Sequence, residues 1–151
     1  MMRFNHMELT FPKGELTDQL RHDIDAFYCT IFGWTACETH IIGQMCHLLM
    51  VDDRAQQFIL LAESSRPMAS PGFDHLGLLQ GSQHEVEDLL SKCKQFQARD
   101  PRVQIKEYEP LVNPTSTVYA FYVKYLLPIW FDVQFIDYSA AAAPPAQWVY
   151  A

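Results

Sequence analysis

The chain has 151 residues and a mass of 17.5 kDa, enough for one domain of ordinary size or two small halves that share a core. Apolar residues make up 49%, aromatics 13% and charged residues 19%, which excludes a disordered or collagen-like chain and leaves folding independent of disulfides or a structural metal. Eleven basic against eighteen acidic side chains give a net charge of −7, too few cations for the basic face of a nucleic-acid binder.

The first predicted strand covers 3–11, where Met7, Leu9 and Phe11 alternate with His6, Glu8 and Thr10. Pro12-Lys13-Gly14 breaks it. From Thr17 the period becomes helical, with Leu20, Ile24, Phe27 and Ile31 on one stripe and Gly33 as the stop. Along this helix Asp18, Asp23 and Asp25 read as a solvated face, Asp18 also suiting the helix dipole. Three β-rich runs follow near 35–43, 46–52 and 57–63, with Gly43-Gln44 and Asp52-Asp53 as turns.

Residues 64–74 are a linker by composition. A strand at 75–80 follows, and then Ser82-Gln83-His84-Glu85, a capping box that opens a helix with Val86, Leu89, Leu90, Cys93 and Phe96 as its buried stripe. Three more β-rich runs lie near 103–111, 116–125 and 129–137. The order β-α-β-β-β therefore occurs twice, at 1–66 and 75–138, joined by a linker at 67–74 and followed by a tail at 139–151. Each half is too small to cover both faces of its own sheet, so the open faces are expected to close on each other around a cleft.

Cys29, Cys37, Cys46 and Cys93 form no C-x-x-C pair and read as reduced thiols. The N-terminal residues lack an apolar run of signal-peptide length, and no apolar stretch approaches the ~18 residues of a membrane span. The expected location is the cytoplasm, with neither membrane nor nucleic acid as partner.

Several short motifs, in order, resemble the vicinal oxygen chelate superfamily, which includes glyoxalase I, extradiol dioxygenases, methylmalonyl-CoA epimerase and the bleomycin and fosfomycin resistance proteins. They are Phe4-Asn5-His6-Met7, Ala26-Phe27-Tyr28 with Phe32-Gly33-Trp34, Phe73-Asp74-His75-Leu76-Gly77, Tyr119-Ala120-Phe121-Tyr122-Val123 and Phe131-Asp132-Val133-Gln134-Phe135. The resemblance implies an α+β fold in which two βαβββ modules form a curved mixed β-sheet half-barrel with a cleft, one helix packed on each module. It also implies metal ligands at His6, His75 and Gln134, where Gln134 stands in the usual place of a carboxylate and Leu60 in that of a fourth ligand.

Two imidazoles with an oxygen donor suit a divalent transition metal, here iron, manganese, zinc or nickel. Asp132 lies two residues before Gln134 and Glu8 two after His6, each on the same strand face, so either can supply the missing charge. Glu8 is also the candidate general base. Leu60, Asp132, Tyr119 and Phe121 are the candidate substrate contacts. His22 and His84 read as solvated, and His47 beside Cys46 as packing.

The function expected from this pattern is a divalent-metal-dependent enzyme of dioxygenase, lyase or isomerase type on a small oxygen-bearing molecule. The alternative is a metal-free protein that binds or sequesters a small molecule, as bleomycin-resistance relatives do. An apolar turn, Tyr125-Leu126-Leu127-Pro128-Ile129-Trp130, points to cover by a second chain or by Trp148 of the tail, hence to a homodimer.

Overall fold

The alternation of His6, Glu8 and Thr10 with Met7, Leu9 and Phe11 becomes strand β1 (His6–Pro12), and the helical stripe becomes α1 (Asp18–Ile31). Thr17 caps the helix by accepting a hydrogen bond from the Leu20 N–H, and Gly33 follows its end at φ +70°. Strands β2 (Thr35–Ile41), β3 (Gln44–Met50) and β4 (Phe58–Ser64) complete the first half. The second half runs β5 (His75–Leu79), α2 (Gln83–Gln97), β6 (Gln104–Glu107), β7 (Leu111–Asn113), β8 (Ser116–Lys124) and β9 (Trp130–Asp137). This computed structural model describes residues 4–52 and 57–138, so Arg3, Asp53, Trp148 and the tail at 139–151 lie outside the described residues.

The chain divides into two compact units, one of residues up to Asp74 with Lys124–Ile129, the other of His75–Val123 with the chain from Trp130. The first unit holds a mixed four-stranded sheet in the order β1-β4-β3-β2, with β1 parallel to β4. One face of this sheet is the core: Leu9, Leu49 and Leu61 are fully buried beneath Ile24, Phe27 and Tyr28 of α1. His47 points to the same face, and its Nε2 lies 2.6 Å from the Asp25 carboxylate. Asp25 therefore departs from the solvated-face expectation: a buried imidazole needs a polar partner, and α1 supplies it.

The apolar turn is also settled within this unit. Tyr125, Leu127 and Ile129 are buried, the Tyr125 ring lies 4.8 Å from that of Phe27, and the Tyr28 hydroxyl donates to the Tyr125 carbonyl at 3.0 Å. The turn is covered by α1 of its own chain, so it needs no second chain to shield it.

The second unit holds a mixed five-stranded sheet in the order β5-β9-β8-β6, with β7 paired to β8 and β5 parallel to β9. Neither sheet closes into a barrel. The run expected at 103–111 is two strands, divided where Glu109-Pro110 interrupts the ladder, because proline has no N–H to donate. Ser82 caps α2 as expected, accepting from the Glu85 N–H at 3.2 Å, but Glu85 reaches one residue further back than a standard capping box and accepts from the Gly81 N–H at 2.7 Å. Val86 and Cys93 are the most buried residues of α2, and desolvation pushes the Cys93 thiol up to about 12.

Two outcomes follow from this packing. Tyr28→Phe removes one of two donors to the buried Tyr125 carbonyl, which keeps the Leu127 N–H at 2.7 Å, and urea unfolding should show a loss of about 1 kcal/mol. Glu63 accepts from the Gly14 and Leu16 N–H groups at 3.0 and 2.9 Å, and these bonds, Gly14 first, hold its carboxyl below its ordinary 4.5. A depressed folded value adds stability above that ordinary value and loses it as pH falls through the folded one. The melting-temperature gap between wild type and Glu63→Gln should therefore be full at neutral pH and shrink as pH is lowered below about 4.5.

Candidate functional site

In β5, β9 and β8, register decides which side chains meet. His75 pairs with Trp130, Gly77 with Asp132 and Leu79 with Gln134, while Tyr122 and Ala120 of β8 lie opposite Asp132 and Gln134. Directly paired residues point to the same face of a sheet. His75, Asp132, Gln134 and Tyr122 thus share one face of the second unit. Phe121, Val123, Phe131 and Val133 share the other, where all four are buried at 0–1% exposure.

On the first of these faces two polar groups approach one nitrogen. The Asp132 Oδ2 lies 3.8 Å from His75 Nε2, and the Tyr122 hydroxyl lies 3.5 Å from the same atom. The Tyr122 ring leans on the imidazole at 4.6 Å between centroids, and the Tyr108 ring backs it at 4.9 Å. Asp132 is 7% exposed, and its Oδ1 has no hydrogen-bond partner among the described residues. Burial raises its carboxyl above the ordinary 3.8, with His75 pulling weakly the other way. Burial likewise raises the Tyr122 phenol, with the Asp132 charge adding to it. The Gln134 amide lies over Gly77, where a β-carbon would meet its Nε2 at 3.1 Å.

The first unit carries the other candidates. His6, Glu8 and Thr10 share the face of its sheet opposite α1 with Phe58, Leu60 and Ala62. The His6 ring stacks on Phe58 at 4.9 Å and 11°, and its Nδ1 contacts the Asn5 side chain at 2.9 Å. Glu8 is exposed and pairs in register with Leu60. Leu60 is buried with Cys46 and Ala62 in an apolar cluster that Ile41, Leu48 and Phe58 extend. The Cys46 thiol is pushed up first by burial and then by the Glu8 charge.

Of the aromatic candidates, Tyr119 stacks on Phe135 and Phe121 packs in the core, both on the face away from His75. The strand position that reaches the imidazole belongs to Tyr122. Alternation along 119–122 contains that answer, but only the pairing of β8 with β9 says which alternate faces Asp132. Tyr108, in the segment between β6 and β7, carries no sequence signal for its place behind Tyr122.

A single ion that touches both His75 Nε2 and an Asp132 oxygen requires them within about 4.2 Å of each other, twice an ordinary zinc–ligand distance. The 3.8 Å separation meets that requirement, and the orphaned Oδ1 offers a further lone pair. No group of three or more His, Cys, Asp and Glu side chains placed to hold a metal occurs among the described residues, so a third protein donor here has to be of another kind, such as the Gln134 amide oxygen. The donor set fits a cation held by few protein ligands. No helix among the described residues is long and apolar enough to cross a membrane.

No family model matches the chain, and no curated protein matches it by sequence. Solved structures match it by fold. The fosfomycin resistance protein FosX of Listeria monocytogenes aligns with a TM-score of 0.62 at 15% identity, over 94% of each chain. A Glu-to-Gln mutant of FosX, complexed with Mn(II) and 1S,2S-dihydroxypropylphosphonic acid, aligns at 0.59 and 15% identity over 94% of this chain and 92% of that one. A possible glyoxalase from Bacillus cereus aligns at 0.51 and 18% identity, over 90% of this chain and 99% of that one. At such identities the likeness is one of fold.

The electrostatics of the Asp132 site have a direct readout. In metal-free protein, carbonyl-carbon NMR should show Asp132 titrating above 3.8, and His75→Ala should move the midpoint higher still, because the imidazolium that favours the carboxylate is gone. A midpoint at or below 3.8, or a downward move in His75→Ala, would contradict the arrangement.

Proposed function

This chain has the vicinal oxygen chelate fold, and from that premise we propose that it is a divalent-metal-dependent enzyme, of dioxygenase, lyase or isomerase type, acting on a small oxygen-bearing molecule. The observation that carries the reading is the buried Asp132 carboxylate beside His75, with one oxygen unpartnered among the described residues. A carboxylate withdrawn from water without a full set of partners is costly, and a cation beside it offsets that cost.

His75 and Asp132 would hold the ion, with the Gln134 amide oxygen as a neutral third donor on the same face. Asp132 then supplies the negative charge that Gln134 does not. When bound, such an ion acts as a Lewis acid that polarises substrate oxygens. Tyr122 holds the imidazole by ring contact and places a hydroxyl beside the His75 nitrogen, where it can donate to a substrate oxygen. Glu8, exposed on the first unit, keeps its proposed role as general base. That FosX was crystallised with Mn(II) gives the metal reading a precedent on this fold.

One observation favours the metal-free alternative. The apolar cluster of Cys46, Leu60 and Ala62, with Phe58 and Leu48 against it, lies on the sheet face that also carries His6 and Glu8, and it suits the apolar body of a small ligand.

Metal content separates the two. Protein purified without a histidine tag and dialysed against a mixture of Mn, Fe, Zn and Ni salts should retain one of them, and His75→Ala or Asp132→Asn should weaken retention by ~10–100-fold. His6→Ala tests the wider ligand set that the family resemblance implies, in which its loss matches that of His75→Ala. Equal and negligible metal in wild type and variants, with thermal stabilisation by organic ligands alone, would favour the metal-free protein.

A further inference from the structure

Strand β2 is the outer strand of the first unit's sheet, paired on one side to β3 over Thr35–Ile41 without a bulge. The two strands meet in a two-residue turn, Ile42-Gly43, with φ of +49° and +78°, the signature of a type I′ hairpin. In such a hairpin the closing pair, Ile41 and Gln44, exchanges backbone hydrogen bonds. Alternation then turns the N–H and C=O groups of Thr35, Cys37, Thr39 and Ile41 toward β3, and those of Ala36, Glu38 and His40 outward. The outward edge holds no proline, lysine or bulge, and its one carboxylate, Glu38, is already met by Arg21 at 2.8 Å.

Ile42 makes the edge stranger still. It is 98% exposed, and it is β-branched in the left-handed region, which favours asparagine or glycine. A fully wet isoleucine at a strained turn gains nothing in an isolated chain.

We propose that the outer edge of β2 docks a second copy of this chain, β2 pairing antiparallel with its counterpart about a two-fold axis through Thr39. The argument is the self-complementarity of the segment. With Thr39 opposite Thr39, Glu38 faces His40 of the second copy, and the reverse, so two acid–imidazole pairs form at the positions whose backbone groups point outward. Cys37 faces Ile41 and Ala36 faces Ile42, which gives the exposed isoleucine an apolar neighbour. Threonine pairs, opposite-charge pairs and apolar pairs are each favourable across strands. An axis through Glu38 would set two carboxylates face to face, and one through Cys37 would leave Glu38 without an imidazole partner. Glu38 also contacts Arg21 Nε at 2.8 Å, which holds its side chain in place beside the edge. A dimer of this kind is isologous, joins two four-stranded sheets into one of eight strands, and buries a small area, so it should dissociate on dilution.

The test uses the full-length chain. Sedimentation velocity over a concentration series should show wild type passing from monomer to dimer. His40→Glu puts like charges opposite each other twice and should raise the dissociation constant about tenfold or more. His40→Pro, which removes an outward N–H while leaving the bonds to β3, should do the same. Ile41→Cys sets a thiol opposite Cys37 of the second copy in a non-hydrogen-bonded pair, with Cα atoms about 4.5 Å apart, so mild oxidation should lock the dimer covalently. Adding Cys37→Ser to it should abolish the lock, and wild type should not cross-link, because its two Cys37 residues sit four positions out of register. A chain that stays monomeric throughout and does not lock in Ile41→Cys would overturn the proposal. So would a dimer that is indifferent to both His40 variants and is not locked by Ile41→Cys.

Discussion

A strand sends alternate side chains to opposite faces, and each of the two sheets here has a single helix to cover one of them. That constraint sorts the chemistry of the chain. In the first unit the face under α1 takes Leu9, Leu49 and Leu61, and the other face takes His6, Glu8 and Leu60. In the second unit Phe121, Val123, Phe131 and Val133 are buried on one face, while His75, Asp132, Gln134 and Tyr122 share the other. A one-residue slip of β9 against β5 would carry Asp132 to the core face and bring Val133 beside His75. The apolar residues that hold register are therefore what hold the site.

Polar residues in the core repeat the same theme. His47 is buried among the apolar residues beneath α1, and it is tolerated because Asp25 of the helix meets it at 2.6 Å. Asp132 is buried beside His75 without an equivalent close partner for its Oδ1 among the described residues. The first pair is close and ties helix to sheet, although His47 Nδ1 also lacks a hydrogen-bond partner among the described residues. The second is looser and lies on the sheet face that also carries His75, Gln134 and Tyr122. His47 has a carboxylate at hydrogen-bond distance, whereas Asp132 meets its imidazole only at 3.8 Å, and that looser contact is the physical reason for placing function at Asp132 rather than at His47.

Much of the fold is legible in the sequence because it depends on local periodicity. The β1 alternation, the α1 stripe, the Thr17 and Ser82 caps and the repeated element order all follow from neighbours within a few residues. Long-range pairing is not legible in that way. The Asp25–His47 contact spans 22 residues and the Tyr28–Tyr125 hydrogen bond 97, so neither the destination of Asp25 nor the cover of the apolar turn is written in local pattern. The site divides along the same line. Asp132 is identifiable as a same-face neighbour of Gln134 from spacing alone, and His75 from its strand-opening position. Tyr122 emerges only once β8 is aligned to β9, because alternation leaves two choices and register makes one.

The central claim is that His75 and Asp132 together hold a divalent cation. Paramagnetic relaxation tests it most directly: substoichiometric Mn(II) is added to isotopically labelled, metal-free protein while the His75 imidazole and Asp132 carboxyl signals are followed by NMR. The expected result is selective broadening of these two groups, with Tyr122 and Gln134 next and the Asp25–His47 pair beneath α1 unaffected. Uniform broadening of exposed carboxylates, with His75 and Asp132 no more affected than Asp18, would contradict it.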